Sequence, residues 1–178
     1  MAFQKAFDAN DASVRLIIKI NNADEGNLTI LRNLVGDYQN IVLLDTHYDR
    51  AQIDSLINCC DCYVSLHHAE GFGLGPAEAM SLGKVALLTG WSGNTEYMRN
   101  NNCVAIQYTL KKLGKDYGPY EAHQYWAVPD IDHAANEMRD LARNPTRVKT
   151  LGEQARMTIQ QEFSAAAVGE RMRQRLQS

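Results

Sequence analysis

A chain of 178 residues, 45% hydrophobic and 22% charged, has the make-up of one globular domain that can bury a core without disulfides. Its net charge of −3, with no basic block, argues against a nucleic-acid partner. No apolar run approaches the roughly 20 residues that span a bilayer, and the opening MAFQKAFDAND lacks the apolar segment of a signal peptide. The expected location is therefore cytoplasmic, with peripheral attachment at a membrane surface as the alternative.

In chain order, AFQKAFDAN reads as a helix that begins at residue 2 with no lead-in. Short β-branched apolar runs follow at 14–20 (VRLIIKI), 41–44 (IVLL), 62–66 (CYVSL), 84–89 (KVALLT) and 103–106 (CVAI). Runs without strict alternation suit strands buried on both faces. Between them lie helical patterns. Ile30, Leu31, Leu34 and Val35 share one face of GNLTILRNLV, and Ile53, Leu56 and Ile57 share one face of RAQIDSLIN. Strands alternating with helices at this spacing predict βαβ units, right-handed crossovers and a parallel sheet. Cys59, Cys60, Cys62 and Cys103 include one C-x-x-C but no second pair. They read as small buried apolar residues, with a redox or metal role as the alternative.

Residues 107–129 form a long irregular connection rich in aromatics, either functional or a surface flap packed down by its tyrosines and Trp126. Beyond it the pattern is helical. Ala134, Ala135, Met138, Leu141 and Ala142 mark one helix, and Val148, Leu151, Ala155, Ile159 and Phe163 mark a longer one. Ser164 reads as the N-cap of a last helix striped by Val168, Met172 and Leu176. The prediction is a single Rossmann-like α/β domain over 1–178, its parallel sheet flanked by helices, with a helical extension over 131–178.

The densest signal is HHAEGFGLGPAEAMSLG, residues 67–83. It follows strand 62–66 and precedes a helix expected to start near Pro76, since proline suits the first helical position. Glu70 then lies in the loop and Glu78 in the first helical turn, with Gly71, Gly73 and Gly75 between them. Open amides at a helix start form an anion site, reinforced by the helix dipole. Ligands of open α/β sheets bind at this edge, outside the carboxyl ends of the strands. The loop is therefore expected to approach a phosphate, most simply a diphosphate. G-x-G-x-G followed by proline is not the dinucleotide fingerprint, and no Gly-Lys-Ser/Thr follows to make a P-loop. Singly, Glu78 could be a helix-start residue and Glu70 a solvated loop residue. Together they suit a ligand with hydroxyls on both sides of a diphosphate, as in a nucleotide sugar.

EGFGLGPAEAMSLGKVALLTGWSGNTEYM resembles the signature of the retaining GT-B glycosyltransferases of family GT4: Glu, seven residues, Glu, a small-residue helix, a Val-rich strand and a second Gly-rich turn. Gly90, Ser92, Gly93, Asn94 and Glu96 match that second turn, and GPY and YWAVPDIDHAANEMRDL resemble bacterial members. The resemblance implies that Gly71, Phe72, Gly73 and Leu74 hold the donor diphosphate. It implies that Glu78 binds the ribose hydroxyls, that Glu70 meets the donor sugar as the catalytic carboxylate, and that the base sits near Thr46, His47 and Tyr48. His47 could equally be a plain exposed histidine, and His67 and His68 read as packed or hydrogen-bonded residues. No metal and no cofactor is implied beyond the nucleotide-diphosphate sugar itself.

Two family parts are absent. No N-terminal acceptor domain precedes the motif, and an Arg/Lys pair that would neutralise the diphosphate has no match, Lys5 and Lys19 being the nearest cations. The expectation is a truncated donor-binding half, inactive alone, that meets its sugar or glycan acceptor through another domain. The alternatives are a non-catalytic nucleotide-binding or interaction module of the same fold, and an unrelated phosphate-binding enzyme. By the same resemblance strand 14–20 corresponds to the family's second strand, so a central strand is missing between 14–20 and 62–66. Direct closure of these two strands, or an intermolecular arrangement with self-association through open sheet edges, is expected over a tolerated gap.

Overall fold

Short strands and amphipathic helices alternate as the apolar pattern demands. The computed structural model describes residues 1–177. The elements are α1 (Ala2–Ala6), β1 (Leu16–Lys19), α2 (Glu25–Val35), β2 (Ile41–Leu44), α3 (Arg50–Cys59), β3 (Cys62–Ser65), α4 (Leu74–Ser81), β4 (Val85–Thr89), β5 (Val104–Ile106), β6 (Tyr108–Lys112), β7 (Tyr125–Pro129), α5 (Ile131–Arg143), α6 (Pro145–Glu162) and α7 (Ala165–Gln177). Most helices start on a side-chain cap. Asp24 accepts from the Asn27 amide, Asp49 from Gln52, Asp130 from Asp132 and His133, and Asn144 from Arg147. Ser164 takes the predicted capping role, accepting from the Ala167 amide at 3.2 Å.

The parallel strands do not form one sheet. β1 pairs with β2, Leu16 opposite Ile41, while β3, β4 and β5 form a second parallel sheet with β4 in the middle. Among the described residues no ladder joins β1 to β3, so each has a strand on one side only. The expected direct closure does not occur. No strand lies within residues 1–12, and the N-terminal segment is helical as predicted.

Side chains, not backbone pairing, hold the two sheets together. Ala2 of α1 is buried among Val85, Leu87, Val104 and Ile106, against which Cys62 and Val64 of β3 also pack. Its neighbour Phe3 is buried with Val35 and Ile41, against Leu16 and Ile18 of β1. Met138 of α5 touches both clusters. Lys5 pairs with Asp132 at 2.6 Å and Arg139 donates to the Lys5 carbonyl at 2.8 Å, fastening α1 to α5. With the spacing set by these side chains, the edges of β1 and β3 have no need to meet.

Several expectations are corrected. Residues 107–129 are irregular only in their middle: β6 and β7 form an antiparallel ribbon, Tyr108 opposite Pro129, around the turn-rich stretch 113–124. α2 buries Leu28 and Val35, whereas Ile30 and Leu34 lie in solvent. In α5, Ala142 is exposed although the rest of its stripe is covered. The α7 stripe is helical but unburied, with Leu176 86% exposed. Cys59 is exposed rather than buried. No helix among the described residues is long and apolar enough to cross a membrane.

Two outcomes are expected. Phe3→Ala removes the ring that ties α1 to the β1–β2 sheet and should cost about 3 kcal/mol in urea unfolding, the usual scale for a buried aromatic. Burial pushes the Cys62 thiol up to about 12. At pH 8 an alkylating reagent should therefore modify exposed Cys59 and leave Cys62 unmodified in the folded protein, as read by mass spectrometry.

Candidate functional site

The carboxyl ends of β3 and β4 open into two glycine-rich turns, and these turns interlock. Gly93 donates its amide to the Glu70 carbonyl at 3.1 Å. The Ser92 hydroxyl donates to the same carbonyl at 2.7 Å, and the Glu70 amide donates back to that hydroxyl at 3.2 Å. The approach is so close that a Cβ at position 93 would overlap the Gly71 carbonyl oxygen. Ser92 itself sits at φ +81°, a left-handed conformation that a non-glycine residue adopts only at a cost.

The first turn ends at Gly73, also at φ +81°, whose carbonyl accepts from the buried Tyr97 hydroxyl at 2.9 Å. A Cβ at Gly73 would collide with that hydroxyl. α4 therefore starts at Leu74, two residues earlier than predicted. Pro76 is the third helical residue, where its missing N–H is still no loss. Glu78 is the fifth, so the reading of it as a helix-start residue does not hold. The amides of Leu74 and Gly75 head the helix with no preceding turn to bond.

Glu78 is bound from α3. Its Oε1 accepts from Arg50 Nη1 at 2.6 Å, and Arg50 also pairs with Asp54 at 2.9 Å. Glu78 first, and then Asp54, hold the Arg50 guanidinium protonated even above its ordinary range. The Tyr63 hydroxyl lies under the first turn of α4, 2.6 Å from where a Cβ on Gly75 would stand. Burial raises the Tyr63 phenol, and the charges of Glu70 and Glu78 raise it further. Burial and then Glu70 do the same to Tyr97.

The histidines are packed, as expected. His67 Nδ1 lies 3.1 Å from Ser65 Oγ, and its Nε2 lies 3.0 Å from Asn94 Oδ1 and 3.2 Å from the Trp91 carbonyl. His68 stacks on Trp126 at 4.6 Å and its carbonyl accepts from the Ala127 amide, so the β6–β7 ribbon is fastened beside the first turn. Thr46 and His47 lie elsewhere. Both are exposed and line a cleft of about 180 Å³ with Ile20, Asn21, Asn22 and Asp45, at the carboxyl ends of β1 and β2. Lys19 donates to the Ile20 carbonyl and Asn21, over the Tyr48 ring, while Lys5 is committed to Asp132. Among the described residues no group of three or more His, Cys, Asp or Glu is placed to hold a metal ion.

Thus Glu70, Gly71, Phe72, Gly73, Leu74 and Glu78 form one turn and helix start, and Thr46 and His47 line a cleft after β1 and β2. Arg50, Tyr63 and His67 had no assigned place at the site. The only sequence signal for Arg50 was its place directly after the capping Asp49. Tyr63 and His67 reach the site only through the packing of β3 against α4 and the second turn.

A family model described as Glycosyl transferases group 1 matches residues 31–158. A search of curated proteins gives no match. Among solved structures, HepE of Anabaena in complex with UDP is similar at 17% identity and a TM-score of 0.70, over 99% of this chain and 44% of that one. Sucrose-phosphate synthase of Thermosynechococcus elongatus is similar at 17% identity and a TM-score of 0.67, over 95% and 39%. The C-terminal domain of a glycosyl transferase group 1 family protein (LpcC) of Francisella tularensis is similar at 16% identity and a TM-score of 0.58, over 79% and 63%. At these identities the likeness is one of fold, that of C-terminal GT-B domains. This chain spans about two fifths of the length of the HepE and sucrose-phosphate synthase chains.

The interlock makes position 93 intolerant. Gly93→Ala should force the two turns apart and cost at least about 2 kcal/mol in chemical denaturation, as overpacking against backbone does.

Proposed function

The chain belongs to the group 1 glycosyl transferases, and we propose that residues 1–178 form the nucleotide-sugar donor-binding half of a retaining enzyme of family GT4. The observation that supports this best is the open start of α4 with Glu70 and Glu78 on either side of it, at the carboxyl edge of β3 and β4. In this reading the amides of Gly73, Leu74 and Gly75 and the α4 dipole receive the diphosphate. Glu78 binds ribose hydroxyls, with Arg50 holding its carboxylate in place. Glu70, its main chain fixed by Ser92 and Gly93, meets the donor sugar. The cleft at Thr46 and His47 takes the base. HepE is known as complexes with UDP and with UDP-glucose, which makes a uridine diphosphate sugar the first donor to try.

Sugar transfer develops negative charge on the leaving diphosphate. Amides fixed in advance stabilise that charge without reorganising, so the main catalytic contribution is electrostatic and calls for no metal. The acceptor binds outside these residues, and the protein acts in the cytoplasm or at its membrane surface. The free edges of β1 and β3 are the places where copies of the isolated chain would associate.

Glu78→Ala should weaken UDP-glucose binding by roughly 1–3 kcal/mol, the scale for losing hydrogen bonds to a charged group. Stability should change little, because the Arg50 pair is half-exposed. Calorimetry on both proteins reads the difference, and equal affinities would leave Glu78 as a partner of Arg50 alone. Incubated with UDP-glucose and candidate glycan acceptors, the 178-residue chain should transfer no sugar; turnover at an ordinary ~1–1000 per second would place the acceptor site within it.

A further inference from the structure

We propose that His67 is a positioning residue that holds the second turn, and through it Glu70, in the geometry the donor sugar requires. The inference rests on the donor-site reading above and names a residue which that reading leaves without a role. Its Nε2 faces two oxygens, the Trp91 carbonyl at 3.2 Å and Asn94 Oδ1 at 3.0 Å. An oxygen lone pair accepts a hydrogen bond, so the ring hydrogen is on Nε2, and Nδ1 accepts from the Ser65 hydroxyl. The tautomer is thereby set at Nε2, and the Ser65 hydroxyl, which can donate or accept, follows it.

The two oxygens stand on either side of the strained residue. Trp91 precedes Ser92 and Asn94 follows Gly93. Ser92 at φ +81° persists only if its surroundings over-determine it. Asn94 is fully buried and donates to the Thr89 carbonyl at 2.9 Å, which fixes the turn to the end of β4. His67 supplies the matching hold from the end of β3. The two groups that bind the Glu70 main chain, the Ser92 hydroxyl and the Gly93 amide, lie between these anchors. Loss of His67 leaves the buried Asn94 oxygen unpaired and frees Ser92 to relax, and Glu70 moves with it.

The α4 start is held by the Tyr97 hydroxyl on the Gly73 carbonyl and Glu78 by Arg50, neither of which bonds His67, so the consequence is selective. His67→Leu should weaken UDP-glucose binding about tenfold while UDP binding changes less than about threefold, whereas general destabilisation would weaken both alike. His67→Gln, which keeps an N–H donor of similar reach, should restore UDP-glucose binding. Imidazole ¹⁵N shifts of the wild type should report the Nε2–H tautomer, and the Glu70 and Gly93 amide resonances should move in His67→Leu. Equal weakening of both ligands, an Nδ1–H tautomer or unmoved amides would each overturn the proposal. If His67→Leu does not fold, the Gln variant and the tautomer decide. A wild type that binds neither ligand refutes the donor-site reading instead, and the tautomer and amide shifts then still decide the role of His67.

Discussion

The carbonyl oxygens of Glu70 and Gly71 press against Gly93 with no room for a side chain between them. Most of the site depends on this contact. It sets the distance between the turns after β3 and β4, and so where Glu70 stands, while a second hold, the Tyr97 hydroxyl on the Gly73 carbonyl, sets the start of α4. Gly73 then turns left-handed under the Tyr97 hydroxyl, and α4 begins at Leu74. Tyr97 stands on Phe72 and Phe163, which tie the turn to the end of α6. Two loops that would be mobile alone are converted into a backbone cradle, because each satisfies the polar groups of the other.

Charge is arranged around this cradle with little waste. Glu78 reaches back to Arg50, so one of the two carboxylates at a helix start that attracts anions is paired with a cation from the preceding helix. Arg50 brings a positive charge to Glu78 from a different element. It is held by two carboxylates, Asp54 and Glu78, which leaves the guanidinium oriented before any ligand arrives.

The central strands were legible because β4 is buried along its whole length and its neighbours carry the same unbroken apolar runs. Glu70, Glu78 and the glycines were legible because a strand, a tight turn and a helix start are local. What needed tertiary knowledge was missed. β6 has almost every residue exposed, so its sequence carries no burial pattern to betray a strand. Ile30 and Leu34 looked like core residues because periodicity alone cannot tell which stripe faces a neighbour, and α2 turns Leu28 and Val35 inward instead. Arg50, Tyr63 and His67 acquire meaning only when three elements meet. The closure expected of β1 and β3 failed for a related reason. It weighed the unpaired backbone and not the α1 and α5 side chains that set the spacing.

That spacing bears on cooperativity. In a continuous sheet, hydrogen bonds couple every strand to its neighbours, and the sheet melts as a unit. Here the link between β1–β2 and β3–β4–β5 is made of side chains, Ala2, Phe3 and Met138 above all, on a five-residue helix and one face of α5. Such a link is short-ranged and lost at once when α1 lifts away. The β1–β2 unit should therefore open with a free energy of its own, lower than that of the sheet bearing the two turns, as the lesser of two folding units. The cleft at Thr46 and His47 belongs to the weaker unit and the α4 cradle to the stronger.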